Sequence, residues 1–480
     1  MVASGNRKWY ALGLLCAVQF MVVLDIAVVN VALPSIQKDL HFSQENLQWV
    51  ISAYALVFGG FMLLGGRSAD ILGRRRVFFA GLIVFTLGSL LCGLSWSEGS
   101  LIGARALQGL GAATISPAAL SILTTTFAEG KERNIALGAW GATGGFGAAA
   151  GVLMGGVLTE LLSWQWIFLV NVPIGLAGLA LIPVLLNESR AHDVTSHDVP
   201  GAVFVTSSLL LIVLAITKGQ DWGWASGKTI GAFVAGGALL AGFLAWESRH
   251  DEPLMPLAIF KLRTLAAANV SMLILGTAMF SMFLILTLYM QQVLGYSPLQ
   301  TGVAYLAVAG TSVLWANVAA QVVNRVGVKP ALVFGMSLMT IGLVYFTQIS
   351  VDGSYWTDLF PGFLIIGLGI PFAFIPLTIA ALAGTRPQEA GLASGLINTT
   401  QQIGGAVGIA VLSTVATSTI TSDSGAGVST AEAYTHGFQN ALWVGAAIAA
   451  VGVVVSLVFV RRSDLVPAAT PEAQAAVEAA

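Results

Sequence analysis

The sequence predicts an all-α polytopic membrane protein. Three observations carry that prediction. The 480 residues are 56% hydrophobic and only 9% charged, against roughly 25% charged in soluble domains. Apolar stretches of roughly 17 to 26 residues recur along the chain, each long enough to cross a bilayer as a helix. The basic residues between those stretches fall on one side of the membrane in alternate loops, as the positive-inside rule requires. A surface so poor in charge does not stay solvated in water, so lipid is the solvent for most of it.

The spans justify themselves in order. The first, 9–33, follows Arg7-Lys8-Trp9-Tyr10, a basic and aromatic anchor at a membrane edge. Its apolar run is too long for a signal-peptide core, and no small-residue cleavage site follows it. The next five occupy 47–66, 77–96, 101–126, 134–158 and 165–187. Two more lie at 201–217 and 229–246. The last six lie at 265–291, 299–322, 330–349, 358–383, 390–416 and 438–460. With the N-terminus inside, only Lys38, Lys218 and Lys228 fall outside, Arg105 falls within a span, and the other 17 of the 21 Lys and Arg lie inside. This parity supports fourteen spans and predicts an inner (plasma) membrane protein with both termini cytoplasmic.

Polar segments Asn187–Pro200 and Glu247–Arg263 divide the spans into six, two and six. The predicted organisation is an N-terminal six-helix bundle (1–187), inner linkers with two additional helices (188–263), a C-terminal six-helix bundle (264–460) and a tail (461–480). The tail's Ala, Pro and Glu content predicts disorder. The halves carry a faint echo: Asp70-x-x-Gly73-x-Arg75 and Asn324-x-x-Gly327-x-Lys329 occupy the loop after the second span of each. Parallel repeats of this kind mark transporters.

Composition excludes several functions. The net charge is −2 with no basic domain, which argues against nucleic acid. Cys16 and Cys92 sit in apolar spans and read as small buried residues, not a disulfide or a metal site. His41, His192, His197, His250 and His436 show no metal spacing. No phosphate-cradling loop and no nucleophile–base pair appears. We therefore expect no enzyme, no cofactor, and energy from an ion gradient instead of ATP.

The charges that remain inside spans carry the chemistry. Burying an ion in hydrocarbon costs about 2.5–3.5 kcal/mol on insertion scales. Asp25 in the first span and Arg105 in the fourth are the two deep ions. Burial disfavours the charged form of a carboxyl, so Asp25 reads as a proton carrier with Arg105 as the cation that couples its protonation to shape; a fixed structural ion pair is the alternative. Gln108 shares a helix face with Arg105, three residues on, and Gly109 admits a neighbouring helix. In the fifth span, 141–145 and 147–151–155 form small-residue seams for close helix contact, continued by Gly156. The loop at Gly66, Asp70, Gly73, Arg74, Arg75 and Arg76 reads as a latch between two moving halves; a positive-inside anchor explains the arginines but not Asp70 and the glycines. Polar or aromatic residues inside spans, Asn30, Trp49, Tyr54, Asn171, Gln291, Gln292, Asn317, Asn398 and Gln402, are candidate pocket residues, each equally open to an interhelical hydrogen-bond role.

These motifs resemble a known family. The loop at 66–76 is similar to the signature loop of the major facilitator superfamily, with Ser68 and Ile71 departing from the pattern. Arg105-x-x-Gln108-Gly109 resembles the superfamily's fourth-helix motif, linked there to proton transfer. Asp25, Asn30 and Pro34 in span one, Ser163–Gly175, and Gly391–Gly405 in span thirteen resemble the fourteen-helix drug:proton antiporters. The resemblance implies the major facilitator fold, two six-helix bundles plus two central helices, and efflux of small amphipathic drugs or antibiotics against protons by alternating access. Its partners would be small lipophilic substrates, protons and lipid, in a monomer. One departure concerns antiport: Gly151-Val152 stands where the family's span-five motif has Gly-Pro. Export of one endogenous metabolite or self-made antibiotic, or a transport-dead sensor or scaffold, are the alternatives.

Overall fold

The structure is a computed structural model and describes residues 6–43, 45–127, 131–190, 198–250, 253, 255, 257–382 and 390–459. The helices run α1 (Arg7–Leu40), α2 (Trp49–Leu72), α3 (Arg74–Gly93), α4 (Glu98–Thr126), α5 (Lys131–Leu161), a short α6 (Trp166–Leu169), α7 (Asn171–Leu185), α8 (Val199–Trp222) and α9 (Gly227–Glu247). They continue as α10 (Arg263–Leu288), α11 (Pro298–Val326), α12 (Val328–Phe346), α13 (Phe360–Leu382), α14 (Ala390–Gly425) and α15 (Thr430–Phe459). Single π-helical stretches, Tyr289–Val293 and Tyr355–Leu359, extend α10 and precede α13. With α6 and α7 counted as one span, 13 helices are long and apolar enough to cross a membrane among the described residues. The predicted span at 134–158 falls on α5, whose described apolar part, Ala149–Leu161, is shorter than the others. The tail after residue 459 and the loop arginine Arg386 lie outside the described residues.

Local chemistry sets the ends. Ser97 with Ser100, and Ser297 with Gln300, form capping boxes at the starts of α4 and α11. Gly73 (φ 111°) and Gly327 (φ 92°) make the corresponding tight turns between α2 and α3 and between α11 and α12, so the faint sequence echo marks a repeated turn. The helices outrun several predicted spans: α1 passes through Pro34 to Leu40, and α14 reaches Gly425 instead of 416. Hydrophobicity marks the bilayer's thickness, whereas backbone hydrogen bonding carries a helix beyond it into polar residues such as Gln37 and Lys38.

In the N-terminal half α4 packs on α2 and α3, α5 on α1, and α7 on α3. In the C-terminal half α10 packs on α14 and α15, and α13 on α11 and α12. The added helices α8 and α9 pack on each other, and α8 reaches both α2 and α14, so the pair sits at the seam between halves. There Trp49, Ala53 and Leu56 share an apolar cluster with Val213, Ala406 and Ala410.

The glycines of α5 divide into two groups. A Cβ on Gly151 would lie 2.7 Å from Ala27 Cβ, and one on Gly155 2.7 Å from the Val28 carbonyl oxygen. Gly147 meets Val23 of the same helix, so 147–151–155 is a close seam on α1. Gly156 instead meets Pro298 and Leu299 of α11, across the halves. In the predicted 141–145 seam Gly141, like Gly138 and Gly144, has nothing within 4 Å of a built Cβ, and the surroundings of Gly145 lie outside the described residues. The reason lies in how the halves meet. Gln291 Nε2 donates to the Val31 carbonyl (2.8 Å), Gln292 Nε2 to Gln37 Oε1 (3.1 Å), and the Leu299 amide to Glu160 Oε2 (3.0 Å). All three lie at the face opposite the N-terminus, where the molecule is closed.

Gly155→Leu is expected to destabilise the detergent-solubilised protein by about 1–3 kcal/mol through overpacking on α1, while Gly144→Leu leaves its thermal unfolding unchanged. Equal effects of the two would show that the open and packed stretches of α5 are misassigned.

Candidate functional site

Asp25 and Arg105 touch. Arg105 Nη1 donates to Asp25 Oδ2 at 2.6 Å, with the two side chains 1% and 0% exposed. A pair this deep survives only if its other hydrogen-bonding groups are satisfied, and Gln108 of α4 together with polar side chains and backbone from three further helices supplies the partners. Arg105 Nε donates to the Val50 carbonyl of α2 (2.8 Å), and Nη1 also to Gln108 Oε1 (2.5 Å). Gln108 Nε2 donates to Asp25 Oδ1 (2.7 Å) and to Ser89 Oγ of α3 (2.8 Å). Asn171 Nδ2, at the start of α7, donates to Asp25 Oδ1 (2.8 Å). The guanidinium lies 4.2 Å from the centre of the Tyr54 ring and 5.5 Å from that of Phe168, a desolvated geometry in which cation–π attraction is at its strongest.

The sequence explains the geometry. Arg105 and Gln108 share a face because they are three residues apart on α4. Gly109 lets α2 approach: a Cβ there would lie 2.5 Å from the Tyr54 carbonyl oxygen. That approach brings the Val50 carbonyl and the Tyr54 ring onto the guanidinium. The hydroxyl of Tyr54 and Oδ1 of Asn171 are buried beside the pair with no hydrogen-bond partner.

The motif loop is tied within its own half. Asp70 accepts from Arg74 Nη2 at 2.8 Å, one helical turn away. The Arg75 and Arg76 amides donate to the Glu188 carboxylate (3.1 and 3.2 Å), and Arg75 Nη1 donates to the Leu186 carbonyl. Gly66 faces Pro117 of α4. The cross-half latch expected of Asp70 is therefore replaced in this conformation by an intra-half clasp, whose sequence-distant partner Glu188 was not foreseen.

The nine pocket candidates do not converge on one place. Asn171 and Tyr54 belong to the ion network. Gln291 and Gln292 clasp α1 at the closed face. Gln402 packs against Gly59 of α2, and Trp49 joins the cluster at the seam. Asn30 is buried, donating to the Ile26 carbonyl of its own helix. Asn317 and Asn398 are exposed on α11 and α14.

Asp25 is not the only buried carboxylate. Asp198 and Glu247 are 1% and 3% exposed at the start of α8 and the end of α9. Span counting hid them because they stand at polar helix ends. Asp198 caps α8 by accepting from the Gly201 amide (2.9 Å) and takes the Trp246 indole N–H (2.7 Å). At the closed face Lys218 bridges Glu45 (3.6 Å) and Asp221 (3.0 Å). Partial burial, then the neighbouring Asp221, push the Glu45 carboxyl above its ordinary range, with Lys218 opposing.

This fold and this network place the molecule in a known family. The Major Facilitator Superfamily model matches residues 15–409, and the chain belongs to that superfamily. It is 39% identical over 443 residues to a puromycin resistance protein of Streptomyces alboniger, covering 91% of this chain and 88% of the relative. It is 41% identical over 410 residues to a cephamycin export protein of Amycolatopsis lactamdurans, covering 84% of each. A bacterial homologue of the human lysosomal transporter Spinster, solved inward-facing and unoccupied, superposes with a TM-score of 0.66 at 14% identity, covering 95% of this chain and 98% of that one. The fold is thus the major facilitator fold, and its family points to transport, not enzymatic catalysis.

Removing one partner of a buried pair strands the other, at a cost of about 3–5 kcal/mol. Asp25→Ala and Arg105→Ala are each expected to destabilise by about that much, and the double variant by clearly less than the sum. Additive losses in thermal unfolding would contradict direct pairing.

Proposed function

We propose that this protein is a proton-coupled exporter of small amphipathic drugs or antibiotics, working by alternating access across the inner membrane with both termini cytoplasmic. The observation that carries the reading is the buried Asp25–Arg105 pair, whose partners reach five helices of one half. The distribution of basic residues supports the orientation. The bundle boundaries at 187/188 and 263/264 follow from the same six, two, six division, and the protein acts as a monomer.

Asp25 is the proton carrier. As a carboxylate it accepts from Arg105, Gln108 and Asn171 and ties α1 to α4 and α7. A proton on it removes the Coulomb attraction for Arg105, which stays held by the Val50 carbonyl, Gln108 and the Tyr54 ring. α1 is then freed from α4 while α4 keeps its grip on α2. Because α1 also carries the α5 glycine seam and meets the Gln291 and Gln292 side chains, loosening it bears directly on the closed face. An ion pair in a molecule closed away from the cytoplasm is the proton-released half of such a cycle. The Gly66–Arg76 loop, clasped here to Glu188, exchanges that clasp for the C-terminal half when the cytoplasmic side closes.

Export of a single self-made antibiotic is the second reading. It is favoured by relatives named for resistance to, or export of, individual antibiotics, puromycin and cephamycin.

A drug-susceptibility panel in an efflux-deficient bacterial host tests the proposal. Expression is expected to raise the inhibitory concentration of several neutral or singly charged lipophilic compounds, and Asp25→Asn to return it to that of the empty host. A shift for one compound class alone selects the second reading. No shift for any compound, or a full shift with Asp25→Asn, overturns proton-coupled export. Because the network holds one carboxylate against one guanidinium, divalent cations are expected to be poor substrates; resistance to divalent and not to monovalent cations would contradict this.

A further inference from the structure

The added pair α8–α9 carries a groove with two chemically different ends. In mid-membrane the helices are in close contact: Ser208 Oγ donates to the Gly236 carbonyl at 2.7 Å. At the N-terminal face they are tied again, Trp246 Nε1 donating to Asp198 at 2.7 Å, and between the two contacts a gap opens beside Gly242. A Cβ on Gly242 would find only Phe204, at 4.0 Å. The gap is a groove of about 380 Å³ lined by Phe204, Gly242, Ala245, Trp246, Arg249 and His250, within the roughly 300–1,000 Å³ range of small-molecule sites.

Its floor is apolar and its mouth is cationic. Trp246 is fixed there, since its indole N–H is taken by Asp198 at 2.7 Å, and its ring packs 5.4 Å from His250. Arg249 is exposed and makes no ion pair among the described residues. The nearby carboxylates point elsewhere: Asp198 caps α8, and Glu247 accepts from the Met255 amide (3.0 Å), both nearly inaccessible. Asp251 and Glu252, next in sequence, lie outside the described residues. The outer surface of α9, with Ile230, Phe233, Val234 and Leu244 exposed, faces hydrocarbon.

We propose that this groove is a binding site for an anionic phospholipid of the surrounding leaflet. One acyl chain lies over Gly242 and Phe204, and the phosphate sits on Arg249. A guanidinium with no ion pair among the described residues, at the mouth of an apolar slot and beside an interfacial tryptophan, matches a phosphodiester joined to a hydrocarbon tail. A soluble anion would leave the slot unused, and a zwitterionic lipid offsets its phosphate with its own ammonium, so the guanidinium favours an anionic headgroup. Since α8 contacts both α2 and α14, the bound lipid braces the seam between halves.

The test uses the full chain in phosphatidylethanolamine vesicles doped with phosphatidylglycerol carrying a tail diazirine. After photolysis, label in the 199–250 segment is read by peptide mass spectrometry. Wild type is expected to be labelled there more strongly by phosphatidylglycerol than by an equally doped phosphatidylcholine probe. Arg249→Ala should cut the phosphatidylglycerol label about fivefold, the weight of one basic residue near an anionic headgroup, without changing the phosphatidylcholine label. Gly242→Leu, which fills the slot, should abolish both. Arg76→Ala, another exposed basic residue of the same face, should leave both unchanged. Labelling that ignores Arg249→Ala and Gly242→Leu, or that does not distinguish the two lipids, overturns the proposal. So does loss of label on adding millimolar glycerol phosphate, which would make a free phosphate the ligand.

Discussion

Everything distinctive in this molecule hangs on keeping a charge pair in hydrocarbon. An isolated ion at that depth costs several kcal/mol, and pairing recovers it only where geometry and hydrogen bonding are good. The solution here is convergence. Asp25 comes from α1, Val50 and Tyr54 from α2, Ser89 from α3, Arg105 and Gln108 from α4, and Asn171 from α7. Five helices of one half therefore share one electrostatic object. A single proton on Asp25 changes the interaction between elements far apart in sequence, which is what coupling a gradient to a conformational change requires.

The glycines show how the rest of the half accommodates that object. Gly109 removes the side chain that would hold α2 off Arg105, and Gly151 and Gly155 bring α5 against the same α1 that carries Asp25. Gly156, one residue past the seam, turns to α11 and the C-terminal half. The helix that grips the helix carrying Asp25 thus also touches the partner half at the closed face, beside the Glu160–Leu299 hydrogen bond. No proline is needed for this contact. Val152 occupies the position after Gly151, and the Val152 carbonyl oxygen lies 2.7 Å from a Cβ built on Gly302 of α11.

Much of this was legible in the sequence, for identifiable reasons. The many membrane-spanning helices follow from hydrophobic length, a property the bilayer imposes directly. Asp25 and Arg105 stood out because buried ions are costly, and Gln108 because i,i+3 spacing fixes a shared face. What the sequence did not disclose depends on distant contacts. Nothing in Asn171 separates a ligand contact from a partner of Asp25, and nothing in Arg75 and Arg76 points to Glu188, more than 100 residues away. Gly141 looked like part of a seam because spacing reports only that a close approach is possible, not that a neighbour is present. Asp198 and Glu247 escaped notice because a hydropathy reading treats helix ends as solvent, whereas packing of α8 on α9 buries them.

The central claim, that Asp25 exchanges the proton, is tested most directly by measuring proton release from purified protein in weakly buffered detergent as an exported drug binds. The account predicts release of one proton per bound drug for the wild type and none for Asp25→Asn, with the variant still binding the drug. Undiminished release from Asp25→Asn would contradict it.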